Sequence, residues 1–284
     1  MSLRIALATA TPHDRCETFV AEQIKRLDKV VLVLTDGYPP QRDAQGMPLL
    51  GSDPIERAKD RWRSTVLRQD LTIRLTARIA ELLRKQRIDV VLAHYGGTAQ
   101  ALVDACGMAG VPLVAHFHGF DAFKTDALER SAGYKKLFAS ARGIVAVSSA
   151  MAQQLISLGA APERLLNNSC GVDADRFTPG NPAEAPARFI SVGRFVEKKA
   201  PILVLAAFQR VLRERPAATL VMVGDGPLWE CCRQFARTEG LRESVTLVGA
   251  RSQDEVAAML RTARAYVQHS VSALNGDSEG TPVA

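Results

Sequence analysis

The sequence predicts an α/β chain of two doubly wound, mostly parallel-sheet domains, and three observations predict it. Short apolar runs rich in β-branched residues alternate with helical patterns throughout the chain, as parallel strands joined by crossover helices require. Each run ends in glycine, histidine or small polar residues. The rhythm stops once, in the proline- and glycine-bearing stretch 171–186, and then restarts. We therefore expect residues 1–180 to form one domain and residues 181–284 a second.

Composition agrees with that class and narrows the function. A length of 284 residues holds two domains of ordinary size, and 47% hydrophobic residues supply full cores rather than low-complexity disorder. The net charge of +6 is mild and dispersed, whereas a nucleic-acid binder concentrates its charge. Cys16, Cys106, Cys170, Cys231 and Cys232 leave one thiol unpaired in any bridging scheme and have no C-x-x-C spacing, so buried thiols in a reducing cytoplasm are expected. Met1–Thr9 is too short for a signal peptide and no segment approaches a transmembrane length, so any membrane contact would be peripheral, at the inner face.

In the first half, Leu3–Ala8 and Val30–Leu34 read as buried strands around a helix at Cys16–Leu27, which carries Phe19, Val20, Ile24 and Leu27 on one side. The polar loop Thr9–Arg15 follows a strand's carboxyl end, where an acceptor would be contacted. Asp36–Ser52 is a long excursion. Ile55–Arg87 reads as a helix crowded with Arg57, Lys59, Arg61, Arg63, Arg68, Arg74, Arg78, Arg84, Lys85 and Arg87. Such a face suits anionic lipid, and a solvated helix face carries the same charges. Asp89–His94 and Pro112–Phe117 are further strands joined by the helix Thr98–Ala109. His94 and His118 follow apolar runs directly and are expected at one crevice. His116 is out of phase by strand alternation and reads as structural. Gly143–Val147 leads to the N-cap candidates Ser148 and Ser149, a helix Ala150–Leu158 ending at Gly159, and a weak strand Arg164–Asn168.

The second half repeats the pattern. Arg188–Val192 runs into Gly193, Arg194, Lys198 and Lys199, then a helix Ala200–Arg215 with Ile202, Leu205, Phe208, Val211 and Leu212 on its apolar face. A strand that hands over to clustered cations before a helix suggests an anion site, although a solvated basic turn has the same composition. Thr219–Val223 ends in Gly224-Asp225-Gly226-Pro227, Val245–Val248 ends in Gly249, and Arg264–Gln268 precedes the polar loop Ser270–Gly280. All four loops fall on one sheet edge. Asp173-Ala174-Asp175 has a D-x-D spacing but follows no strand, so no metal site is assigned. Without a Gly-x-Gly-x-x-Gly after a strand or a Walker motif, neither a dinucleotide nor ATP is indicated.

Several separated motifs resemble one family in order and spacing. FISVGRFVEKK, VMVGDGPL, VTLVGARSQDEV and HSVSALNGDSEGTPVA resemble the donor-binding half of family-4 retaining glycosyltransferases of the GT-B type, two Rossmann-like domains. In the first half, the ETF at Glu17–Phe19, the HGFD at His118–Asp121, AVSSAMAQQL and GVDADRFTP agree, and the chain looks most like bacterial colanic-acid and exopolysaccharide transferases. The resemblance implies that Arg194 and Lys199 hold the donor pyrophosphate with Lys198 as an accessory charge. It further implies that His118 lies near the transferred sugar and that Glu279, the first glutamate of an E-x7-E motif, contacts that sugar. Gly193, Gly224, Gly249, Gly280 and Thr281 would line the donor site. The second glutamate would fall beyond Ala284, so the resemblance also implies a C-terminally truncated, incomplete second domain.

The implied reaction moves a sugar from a nucleoside-diphosphate-sugar to a lipid-linked or saccharide acceptor, with retention, no cofactor and no metal. The residues suit it: the leaving diphosphate needs fixed positive charge, which Arg194 offers as a fork and Lys199 as a point charge. No glycosidase-type carboxylate pair is evident, so attack on the same face assisted by the leaving phosphate is expected. A nucleotide-sugar epimerase of the same architecture and an inactive truncated fragment are the alternatives.

Overall fold

Strands form where the apolar runs predict them. The computed structural model describes residues 3–10, 18–51, 58, 62 and 70–282. In the first half, β1 (Ile5–Thr9), β2 (Val30–Thr35), β3 (Arg42–Asp43), β4 (Val90–His94), β5 (Leu113–Phe117), β6 (Gly143–Ala146) and β7 (Leu165–Asn167) form one sheet in the order β3-β2-β1-β4-β5-β6-β7. All pairs are parallel except β2 with β3, a short antiparallel edge inside the expected excursion. Consecutive residues Ala6, Leu7 and Ala8 are all fully buried, so both faces of the sheet are covered.

The helices are α1 (Thr18–Arg26), α2 (Leu71–Lys85), α3 (Gly96–Ala109), α4 (Phe120–Phe123), α5 (Thr125–Arg130), α6 (Lys135–Ser140) and α7 (Ser149–Ser157). Asp70 caps α2 by accepting the Thr72 N–H at 2.6 Å, and Ser148, rather than Ser149, caps α7 by accepting the Met151 N–H at 3.3 Å. The expected helix Ile55–Arg87 is described mainly from Asp70 onward, and residues 11–17, which hold most of the expected loop Thr9–Arg15 and the first residues of the expected helix Cys16–Leu27, lie outside the described residues. Helices α4 to α6 escaped the sequence reading because they are short and the chain between them turns left-handed at Ala132, Gly133 and Tyr134.

The second half builds β8 (Arg188–Val192), β9 (Thr219–Val223), β10 (Val245–Gly249) and β11 (Ala265–Tyr266), all parallel, in the order β10-β9-β8-β11. Helices α8 (Pro201–Glu214), α9 (Trp229–Thr238) and α10 (Gln253–Arg261) connect them. Ser252 and Glu255 close a reciprocal capping box on α10. Strand β11 is shorter than expected, although the Val267 N–H still donates to the Ile190 carbonyl at 2.7 Å.

The chain divides into two compact units, Met1–Cys170 and Gly171–Ala284, ten residues earlier than the expected boundary. Composition misplaced it because residues 171–180 are loop-like yet committed to the second unit. Arg176 pairs with Asp254 at 3.0 Å and donates to Gln253, and Gly180 rests on the Arg261 carbonyl with no room for a Cβ. The described cysteines are unbridged. Cys106 and Cys232 are buried, whereas Cys231 is exposed, since neighbours on a helix point about 100° apart. Among the described residues, no helix is long and apolar enough to cross a membrane.

Both sheets reverse strand order once, between β1 and β4 in the first unit and between β8 and β11 in the second. In open parallel sheets, ligands bind outside the carboxyl ends of the strands at such a point.

Candidate functional site

At the second unit's switch point, the loop leaving β8 meets the loop leaving β11. The Gly193 N–H donates to the Val223 carbonyl at 2.9 Å and the Gly224 N–H to the Gly249 carbonyl at 2.9 Å, which stacks the three strand ends. Gly224, at φ +133°, lies so close to the Gly193 carbonyl that no Cβ fits, and Gly226 approaches the Phe195 backbone in the same way. Glycine here permits backbone to pack on backbone. Gly193, Arg194, Phe195, Lys199, Gln268 and His269 line a small pocket above these ends. Gly224 and Gly249 do not line it; they support the loop that does.

The three cations of the loop differ in their surroundings. Arg194 is exposed and forms no ion pair among the described residues. Lys199 lies with its stem against Gly193, and its Nζ is 3.0 Å from Glu279 Oε2. Lys198 is buried, and its Nζ reaches Asp277 Oδ1 at 2.9 Å and stands 3.8 Å from Glu279 Oε1. The expected accessory role on a phosphate is therefore not the one Lys198 has in this structure. Glu279, Gly280 and Thr281 are half-buried and continue the β11 loop. Burial, with the Glu279 carboxylate nearby, pushes the Tyr266 phenol up to about 12; its hydroxyl donates to Gln268 Oε1 at 2.7 Å.

In the first unit, three histidines gather at the ends of β4 and β5. His94 and His116 are register partners on neighbouring strands, which places their side chains on one face, and His118 follows two residues on. Alternation therefore keeps His116 in phase with His94 and His118, which corrects the expected phase. His94 Nδ1 and His118 Nε2 are 2.9 Å apart, with rings 23° from coplanar and centroids 5.1 Å apart. That is an edge-to-edge hydrogen bond carrying one shared proton. A zinc ion held by both nitrogens at about 2.0–2.1 Å would force them farther apart, so although one nitrogen of each of the three lies within 4.8 Å of the others, the spacing suits a proton.

Burial holds the imidazoles neutral. It lowers His94 to about 3, helped by His116, and His116 to about 4, and it carries His118 well below the ordinary histidine value with further contributions from His116 and His94. His94 Nε2, His116 Nε2 and His118 Nδ1 are buried and have no hydrogen-bond partner among the described residues. The main chain of this turn is fixed by Asp121, whose buried carboxylate accepts N–H bonds from Gly96 at 2.9 Å, His118 at 3.0 Å and Gly119 at 2.9 Å. Asp277 is the residue that sequence reasoning missed. The position of Asp277, two residues before Glu279, was the available signal for it.

Comparison with known proteins agrees with this geometry. The profile described as Glycosyltransferase Family 4 matches residues 16–176, and the one described as Glycosyl transferases group 1 matches residues 173–284. WcaL of Escherichia coli, named as a colanic acid biosynthesis glycosyltransferase, is 29% identical over 80% of this chain and 58% of its own length. The amylovoran biosynthesis glycosyltransferase AmsK of Erwinia amylovora is 26% identical over 76% of this chain and 54% of its own. The chain thus spans a little over half the length of these relatives. Among solved structures, Anabaena HepE in complex with UDP superposes with a TM-score of 0.68 at 16% identity, covering 95% of this chain and 75% of that one. The apo lipopolysaccharide outer core galactosyltransferase WaaB gives 0.60 at 16% identity, covering 94% and 74%. Both share the two-domain α/β fold of the GT-B glycosyltransferases. By the match of its first unit and much of its length, the chain belongs to glycosyltransferase family 4.

Proposed function

We propose that this chain carries the donor-binding and histidine-bearing machinery of a hexosyltransferase in exopolysaccharide synthesis, which takes a sugar from a nucleoside-diphosphate-sugar and passes it to a saccharide or lipid-linked acceptor with retention. The observation that carries the reading is an exposed Arg194 on the same pocket as Lys199, which pairs with Glu279, at the β8–β11 switch point. A departing diphosphate develops negative charge, and a guanidinium fork and an ammonium fixed at that point stabilise it with no divalent ion in the reading. HepE, the neighbour of the same fold, was solved with UDP bound, and WcaL and AmsK are named for exopolysaccharide biosynthesis, which supports the transferase over the epimerase.

In this reading Glu279 serves the donor sugar, Gly280 and Thr281 approach it through backbone, and His118 takes part in the chemistry as a neutral imidazole. Peripheral membrane contact belongs to the same proposal, supported by exposed Leu71 and Ile73 at the start of α2 and exposed Arg84 and Lys85 at its end. The deciding experiment is calorimetric titration of the chain with uridine, guanosine and adenosine diphosphates. Lys199→Ala should weaken the diphosphate that binds by about 1.5–3 kcal/mol, the worth of a charged hydrogen bond. Unchanged affinity would remove Lys199 from the pyrophosphate.

A further inference from the structure

Lys198 and Asp121 are the charged side chains buried among the described residues. A buried lysine is expensive unless its charge is matched, and this one spends its charge inward. Its Nζ donates to Asp277 Oδ1 at 2.9 Å and to the Ser278 carbonyl at 3.4 Å, with the lysine and aspartate side chains 7% and 20% exposed. Its own carbonyl accepts the Val271 N–H at 2.8 Å. One residue thus pins the β11 loop near its start and near its end. Between those pins the loop closes on itself: the Ala273 N–H donates to the Asp277 carbonyl at 2.9 Å, and Ser278 Oγ donates to Ser272 Oγ at 2.9 Å.

Glu279 is the next residue after this closed loop, and it emerges 3.0 Å from Lys199. We propose that Lys198 and Asp277 are a positioning pair: they touch no donor atom and act by holding Glu279 where it meets the donor sugar. The two adjacent lysines then have separate duties, Lys199 toward the diphosphate and Lys198 toward the loop. This inference rests on the donor-site reading above, and its failure is distinguishable from a failure of that reading.

The test measures affinity for a nucleoside diphosphate and for its glucose conjugate in wild type, Asp277→Asn, Glu279→Gln and the double variant. Wild type should bind the conjugate more tightly. Asp277→Asn should leave the bare diphosphate within about twofold yet lose most of the gain from the attached sugar, and the double variant should lose no more than Glu279→Gln alone, since the two act as one unit. Additive losses, an equal loss for diphosphate and conjugate, or an unchanged sugar gain in Asp277→Asn would each overturn the positioning role. A wild type that binds none of the diphosphates would instead sink the donor-site reading. Should Asp277→Asn fail to fold, Lys198→Met/Asp277→Leu, which exchanges the buried pair for apolar side chains of similar volume, is run through the same cycle with the same outcomes.

Discussion

Ala200 adopts φ +43° and ψ +50°, the left-handed conformation that disfavours every residue with a Cβ, at the junction between the cationic loop and α8. The sequence places alanine, a residue with a Cβ, at this position. The backbone angle makes it a local strain. Ala200→Gly should raise stability by about 0.5–1 kcal/mol, the relief of left-handed strain less the extra entropy of glycine in the unfolded chain, as measured by urea unfolding. Residue-level roles were only partly legible for a related reason. Arg194, Lys198 and Lys199 are one cluster of charge on paper, and only burial separates the half-buried Lys199 from the buried Lys198, which holds a loop. Likewise Asp121 reads as part of a motif, but the three N–H groups its carboxylate accepts come from two segments 22 or more residues apart in the fold's path, at Gly96 and at His118–Gly119.

At the level of elements the sequence was more informative. Parallel strands covered on both faces are almost wholly apolar, so β1, β4, β5, β8 and β9 announce themselves, and β8 and β9 match their expected limits. A two-residue strand such as β3 carries no period to detect. Helix α2 shows how one element can serve two surroundings. Leu75, Ile79, Ala80 and Leu83 face the core, while Leu71 and Ile73 are exposed at its start and Arg84 and Lys85 at its end. Exposed apolar side chains at one end of a helix and basic ones at the other suit an anionic lipid surface lying along it, where each basic residue contributes about 1 kcal/mol. Vesicles rich in anionic lipid should therefore bind the protein at least about tenfold more tightly than neutral ones, and Ile73→Glu should reduce that binding. Equal partitioning onto both vesicle types in a co-sedimentation assay would assign α2 to solvent.

For the whole molecule, the histidine cluster makes the stability of the two units diverge with pH. An imidazole held neutral by burial adds stability that is fully present above the unfolded-chain value of about 6.5 and is lost as the pH falls through the native values. For His94 and His116 those values are about 3 and about 4, and His118 is displaced in the same direction. Each histidine that stays neutral should remove up to about 1.4 kcal/mol per pH unit between pH 6.5 and 4. Hydrogen exchange over that window should show β4 and β5 opening at higher pH than β8 and β9; simultaneous opening would contradict it. The seam between the two units falls ten residues ahead of the expected boundary, because side-chain commitments do not show in composition. The seam has a practical meaning for dissection of the protein. Severing the chain after Gly180, where proline and glycine invite it, would strip from α10 the clasp made by Arg176 and leave Arg261 without the glycine that packs on its carbonyl, whereas a cut ahead of Gly171 carries both along with the second unit.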